Sequence, residues 1–225
     1  KFFCGVPDSL LKNFCSYISD KVSPENHIIA ANEGNAIALA TGYYLGTGSP
    51  GLVYMQNSGF GNALNPILSL ADREVYQIPM LLFVGWRGKP GTKDEPQHIM
   101  QGTSIIKSLK NFNITYYDSE NMTLNKLSKI INETKKENRI TALLVAKNYF
   151  EKLNTKFRKK NYIKRSEAIN SLLTNLKINY KIVSSTGFNS REILLQNSIK
   201  KTAFYLIGAM GHTLGVSLGS LNHDN

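Results

Sequence analysis

Two hydrophobic rhythms alternate along the first 146 positions. Short continuous apolar runs sit between longer stretches whose apolar residues recur every three or four positions. The first rhythm belongs to strands buried on both faces, the second to amphipathic helices packed on a sheet. Met80-Leu81-Leu82-Phe83-Val84, between Pro79 and Gly85, is the clearest strand. Residues 27–31, 51–56, 114–117 and 141–146 give further strands. Pro7-Asp8-Ser9 opens a first helix whose apolar face is Leu10, Leu11, Phe14, Tyr17 and Ile18. Helices are also predicted over 33–45, 62–70 (with Pro66 in its first turn), 104–110 and 124–136. The alternation predicts an α/β fold, a parallel sheet covered by helices on both faces, over residues 1–146.

The pattern breaks at a basic linker, 147–163, and then restarts. Helical patterns cover 166–176, 190–197 and 212–221, with strand-like runs at 181–184 and 203–207. A segment of about 60 residues is short for an open sheet covered on two faces. Residues 164–225 therefore read as the first part of a second, similar α/β domain that is cut off.

Composition narrows the class. Hydrophobic residues make up 42% of the 225, enough for a packed core. No apolar run approaches the ~20 residues of a membrane span, and Lys1 does not open a signal peptide. The chain lacks an initiator Met, so its start is expected upstream. Of the net charge of +11, residues 147–165 carry +7, including Arg158-Lys159-Lys160. Such a run is a solvated linker, and Tyr149, Phe150, Phe157 and Tyr162 form no nucleic-acid reading motif, so no nucleic-acid partner is expected. Cys4 and Cys15 form no C-x-x-C pair and fit buried, reduced thiols of a cytoplasmic protein.

Candidate chemistry sits where strands hand over to helices. Glu33, in Ala30-Ala31-Asn32-Glu33-Gly34, is a carboxylate among small and apolar neighbours at a helix N-terminus. It is either a helix-cap carboxylate or a proton relay. Gln56-Asn57-Ser58-Gly59-Phe60-Gly61-Asn62 follows a strand; its glycines permit close backbone approach, yet it matches neither phosphate-loop signature. Trp86-Arg87-Gly88-Lys89-Pro90-Gly91 and Asp94-Glu95-Pro96-Gln97-His98 form a polar loop, in which Arg87, Lys89 and His98 are candidates to neutralise an anionic substrate. Ser185-Thr186-Gly187 and Gly208-Ala209-Met210-Gly211-His212 each end an apolar strand, where hydroxyl and amide groups at a helix N-terminus suit a diphosphate. His27 and His223 belong to no constellation.

These motifs resemble thiamine diphosphate-dependent decarboxylases. With Phe3-Cys4-Gly5-Val6-Pro7-Asp8-Ser9 and Ser185-Thr186-Gly187-Phe188-Asn189-Ser190-Arg191-Glu192 added, the chain is similar over essentially its whole length to the phosphonopyruvate decarboxylase family. The sister sulfopyruvate decarboxylases share the glutamate and the glycine-rich loop, and the Asp94–His98 loop tips the balance to the phosphonate enzymes. The resemblance implies a pyrimidine-binding domain over 1–146 and an incomplete diphosphate-binding domain over 164–225. It makes Glu33 the catalytic residue, hydrogen-bonded to the cofactor's aminopyrimidine. Asn57, Ser58, Ser185, Thr186, Gly187, Gly208, Met210 (as an apolar wedge) and Gly211 would join Glu33 in holding thiamine diphosphate. Ser9, Asn57, Arg87, His98 and His212 would face the substrate. The implied reaction is decarboxylation of 3-phosphonopyruvate to phosphonoacetaldehyde and carbon dioxide, in biosynthesis of phosphonates such as 2-aminoethylphosphonate. The implied assembly is a homo-oligomer with active sites shared between subunits. The family's Gly-Asp-Gly motif and downstream Asn, which bind Mg2+, are not found in this sequence, so metal ligands are expected beyond Asn225. Sulfopyruvate decarboxylation, or a non-catalytic cofactor-domain fragment, are the alternatives.

Overall fold

The computed structural model describes residues 1–153, 162–176, 180–196 and 203–221. Arg158-Lys159-Lys160, Phe157, Asn197 and His223 lie outside the described residues. The chain forms two units, Lys1–Thr155 and Lys156–Asn225.

The first unit holds six strands: β1 (Phe3–Gly5), β2 (His27–Ile29), β3 (Gly51–Gln56), β4 (Met80–Gly85), β5 (Thr115–Asp118) and β6 (Ile140–Val145). They form one sheet in the order β2-β1-β3-β4-β6-β5, every pair parallel. In register, Val53 lies beside Leu82 and Leu82 beside Ala142. Alternate residues then enter opposite cores. Val53, Met55, Leu82, Val84, Ala142 and Leu144 pack against α2 (Glu33–Thr47), α3 (Phe60–Pro66) and α4 (Pro96–Asn111). Tyr54, Leu81, Phe83, Leu143 and Val145 pack against α1 (Lys12–Lys21) and α5 (Leu124–Lys136). The continuous apolar runs thus serve a parallel sheet with both faces covered, as their patterning predicts.

Local differences from the sequence reading have physical causes. β1 has three residues, too few to show a periodicity, yet it lies between β2 and β3 with Cys4 fully buried. The first helix begins at Lys12 rather than at Ser9, because the buried Asp8 carboxylate accepts the Leu10 amide at 2.9 Å in a tight turn. Tyr17, predicted on its apolar face, is 53% exposed, since Leu11 and Ile18 carry the packing. Pro66 ends α3 instead of starting it. It has no N–H for the Asn62 carbonyl, and the next five residues, Ile67–Ala71, continue as a π-helical turn. α4 starts at Pro96, eight residues before the predicted 104, with proline in the first helical position.

In the second unit, β7 (Ile182–Ser184) and β8 (Ala203–Tyr205) pair in parallel, with Val183 beside Phe204. Helices α6 (Arg165–Asn175), α7 (Phe188–Gln196) and α8 (Thr213–Leu221) accompany them. Arg165 holds Glu192 through two bonds, 2.8 and 2.6 Å, tying α6 to α7.

Candidate active site

In the first unit the sequence-selected residues follow the C-terminal ends of the strands. Ser9 follows β1, Glu33 follows β2, Asn57 and Ser58 follow β3, and Arg87 follows β4. The chain leaves β1 toward β2 at one edge and β3 toward β4 in the other direction. A crevice opens at such a switch between neighbouring strands, and it is where α/β sheets bind ligands. Here Gln56 Nε2 donates to Asp8 Oδ1 at 2.8 Å across that switch.

Glu33 is the first residue of α2 and is only 9% exposed. The helix cap is filled by its neighbour: Asn32 Oδ1 accepts the Asn35 amide at 2.9 Å. Glu33 is therefore not needed to close the helix end. Its Oε2 accepts from Asn62 Nδ2 at 2.9 Å, while among the described residues Oε1 accepts no hydrogen bond. A Cβ on Gly59 would overlap the Glu33 carboxylate, so only glycine leaves this carboxylate its place. A buried carboxylate with one oxygen held and one open suits a donor on a heteroaromatic ring, and this is the feature that fits thiamine diphosphate.

A second set of bonds fastens the loops beside it. Asn57, 2% exposed, donates Nδ2 to the Arg87 carbonyl at 2.8 Å and accepts the Arg87 amide on Oδ1 at 3.2 Å. Asn57 thus holds Arg87 in place. Ser58 Oγ donates to Gln56 Oε1 at 2.6 Å. Arg87 Nη1 donates to Ser9 Oγ at 2.7 Å, while Nε and Nη2 donate to the two oxygens of Asp94 at 2.8 and 2.5 Å. Trp86 Nε1 donates to the Gly102 carbonyl at 2.9 Å, which brings α4 against the loop. A Cβ on Gly102 would overlap the Gly88 carbonyl.

The charges differ from the simple picture of three cations facing an anion. Lys89 Nζ sits 2.8 Å from Asp118 Oδ2 and 2.6 Å from Glu120 Oε1, and over the Trp86 ring. It anchors the loop. The Arg87 hydrogen bonds hold the Asp94 carboxyl far below the usual carboxylate range, and the same bonds raise Arg87. Burial raises Asp8, against the opposing pull of the Leu10 amide and Arg87. Burial, then the Arg87 charge, lowers His98, so its imidazole is neutral at pH 7. His98 lies on α4 rather than in the loop, and its buried Nδ1 has no hydrogen-bond partner.

The structure joins Ser9, Asn57 and Arg87 by hydrogen bonds; Ser58 bonds instead to Gln56 and through it to Asp8, and Glu33 lies against Gly59. In the second unit, Thr186 Oγ1 donates to the Ile207 carbonyl at 2.9 Å, and Ser185 Oγ accepts from Asn189 at 2.9 Å. Gly187 and Gly211 turn the chain with φ of 83° and 88°. Gly208 lies in the turn after β8, Met210 is 59% exposed, and His212 Nδ1 pairs with the Met210 carbonyl at 3.1 Å. The sequence reading gave no role to Asp8, Asn62 or Asp94. Asp8 was read only as part of a helix start, and its bonds to the Leu10 amide and Gln56 show it bracing the crevice. Asn62 and Asp94 stood inside quoted motifs, and only their partners reveal what they hold. Among the described residues, no group of three His, Cys, Asp or Glu side chains converges to hold a metal.

Comparison with known proteins finds similarity to thiamine pyrophosphate enzymes. Residues 1–109 match the family described as thiamine pyrophosphate enzyme, N-terminal TPP binding domain. The chain is 30% identical over 240 residues to phosphonopyruvate decarboxylase of Streptomyces hygroscopicus, covering 97% of this chain and 58% of that protein. It is 37% identical over 116 residues to sulfopyruvate decarboxylase subunit alpha of Methanococcus maripaludis, covering 52% of this chain and 66% of that subunit. The crystal structure of benzoylformate decarboxylase from Polynucleobacter necessarius shares the fold, with a TM-score of 0.52 and 16% identity over 86% of this chain and 37% of that one. The chain thus spans little more than half the length of the phosphonopyruvate decarboxylase it matches. No helix among the described residues is long and apolar enough to cross a membrane. Residues 1–109 are thus similar to the N-terminal TPP-binding domain of thiamine pyrophosphate enzymes, and the chain is similar to phosphonopyruvate and sulfopyruvate decarboxylases.

Proposed function

We propose that the intact protein is a thiamine diphosphate-dependent decarboxylase that converts 3-phosphonopyruvate to phosphonoacetaldehyde and carbon dioxide, within phosphonate biosynthesis. The observation that carries this reading is the Glu33 carboxylate, buried, steadied by Asn62 and open at Oε1. When bound, thiamine diphosphate supplies the electron sink that a 2-oxo acid needs to lose carbon dioxide. Glu33 accepts the hydrogen bond of the cofactor's pyrimidine ring and relays its proton. Gly59 keeps the carboxylate in place. Ser9 and Arg87 face the phosphonate, while Asn57 and Ser58 hold the loop between cofactor and substrate. His98, neutral and with an unpaired nitrogen, offers a hydrogen bond at the substrate.

The second unit, over 164–225, takes the diphosphate side in this reading. Ser185, Thr186, Gly187, Gly208 and Gly211 give hydroxyl and amide donors, Met210 the apolar wedge, and His212 a further polar group toward substrate. Mg2+ would supply the counter-charge of the diphosphate, and no group of the described residues is placed to hold it. The assembly is a homo-oligomer with shared sites, and the free thiols of Cys4 and Cys15 suit the cytoplasm.

Glu33→Gln in the intact protein tests the reading. General acid–base groups contribute about 10²–10⁴-fold, so decarboxylation falls by that factor with the fold intact. Near-normal turnover removes Glu33 from the mechanism. Sulfopyruvate is the second reading, favoured by the 37% identity over 116 residues to a sulfopyruvate decarboxylase subunit. The longer match, across 97% of the chain, favours phosphonopyruvate. Comparing kcat/KM on the two acids decides between them. Cofactor binding without turnover of either acid would support a non-catalytic cofactor domain.

A further inference from the structure

We propose that Asp94 is a positioning residue: it holds one edge of the Arg87 guanidinium so that the remaining donors point at the tetrahedral oxyanion of the substrate. The inference rests on the decarboxylase reading for the identity of that oxyanion, a phosphonate. Guanidinium has five N–H groups. Arg87 gives Nε and one Nη2 hydrogen to Asp94, and one Nη1 hydrogen to Ser9. One N–H on each terminal nitrogen is left, and the side chain is 19% exposed, so solvent and ligand reach it.

Asp94 itself has nothing left to give. Its Oδ2 accepts from Arg87 Nε and the Gly88 amide, and its Oδ1 from Arg87 Nη2 and the Glu95 amide. Four donors fill the carboxylate, so it does not compete for the ligand's protons or metal. Asn57 fixes the backbone of the same arginine at both its amide and its carbonyl. A long, flexible side chain is thereby fixed at its root and along one edge. The entropy of ordering it is already lost before the anion arrives. Lys89 cannot take over this task, since Asp118 and Glu120 hold it. The paired Arg87 and Asp94 charges cancel, so the anion is gripped by directed hydrogen bonds rather than by net charge.

Methylphosphonate is the probe, because it reports the tail's site without requiring chemistry. Its affinity is measured by calorimetry for the intact wild-type protein, Arg87→Ala, Asp94→Asn and the double variant. Asp94→Asn keeps the shape of the side chain but replaces an acceptor by a donor facing the arginine. Charge-assisted bonds of this kind correspond to about tenfold or more in affinity. The expected pattern is a loss of that size in each single variant and no further loss in the double, because Asp94 acts through Arg87. Phosphonopyruvate turnover by Asp94→Asn shows a raised KM with kcat little changed. Wild-type affinity in Asp94→Asn, additive losses in the double variant, or no binding by the wild type would overturn the proposal. The predicted binding pattern in a protein that decarboxylates nothing leaves the role of Asp94 standing and defeats the decarboxylase reading instead.

Discussion

Gly59→Ala separates the position of the Glu33 carboxylate from its presence. A Cβ at residue 59 would overlap Oε1, Cδ and Cγ of Glu33, so the side chain has to move by about an ångström or more to regain ordinary contact. What moves is the end of a flexible side chain, so the fold survives. Overpacking costs about 1–3 kcal/mol. Residue 59 has φ −79° and ψ −11°, a helical conformation in which alanine returns about 0.5–1 kcal/mol. The net change in stability is then between nothing and about 2.5 kcal/mol. Activity responds more strongly, because a misplacement of ~1 Å costs on the order of 10²-fold. The assay is decarboxylation of phosphonopyruvate by the intact protein, with thermal melting as the control for folding. Gly59→Ala should lose about a hundredfold in kcat with a melting temperature lowered by no more than about 10 °C and a cooperative transition retained. Combined with Glu33→Gln, it should add nothing, since the group it displaces is already gone. Undiminished turnover in Gly59→Ala would show that Glu33 Oε1 does not need its observed place.

Three further outcomes are expected. Trp86→Phe leaves the Gly102 carbonyl without its 2.9 Å donor and should cost about 1–3 kcal/mol in urea unfolding; an unchanged midpoint would mean that the bond contributes nothing. Burial pushes the Cys4 thiol up to about 12 and the Cys15 thiol up to about 11, so neither should be alkylated readily in the native protein at pH 8, while both react once it unfolds. The same shifts work against stability as pH rises above the ordinary thiol value of 9.0, because the unfolded chain ionises first, and Cys15→Ala should soften that alkaline loss. Sedimentation of the intact protein should show at least a dimer, and a fully active monomer would contradict shared active sites.

The sheet was legible in the sequence because its strands are buried on both faces. β3, β4 and β6 are six-residue strands made almost wholly of apolar residues, and such runs admit few other readings. β1 was not legible, since three residues carry no period, although it lies at the switch that forms the crevice. The site was legible as a set of motifs but not as a set of contacts. Glu33 stood out by its place at a strand–helix junction, whereas only the structure shows that Asn32, bonded to the Asn35 amide, fills the cap itself while Glu33 stays in the first turn. Arg87 and Lys89 looked alike as cations in a polar loop. Their partners, Asp94 for one and Asp118 with Glu120 for the other, lie 7 to 31 positions away, too far for local pattern to assign.

On the decarboxylase reading, that difference between the two cations would bear on how the crevice tells one acid from another. Lys89 is neutralised by two carboxylates and lies over an indole, so it stabilises the loop. Arg87 is neutralised by one carboxylate along one edge and keeps N–H groups on the other side. Asp8, buried beneath the loop, adds negative charge wherever it is ionised. The surroundings of Arg87 therefore carry no excess of positive charge with which to attract an anion indiscriminately. Discrimination has to come from the direction and spacing of a few fixed donors, which a tetrahedral phosphonate or sulfonate meets differently from a planar carboxylate. Phosphonate and sulfonate share that shape and differ in charge and protonation. On the decarboxylase reading, a site built on direction alone would separate them weakly, and His98, lowered by burial and by the Arg87 charge and with a buried Nδ1 that has no partner among the described residues, would be the group to respond to that remaining difference.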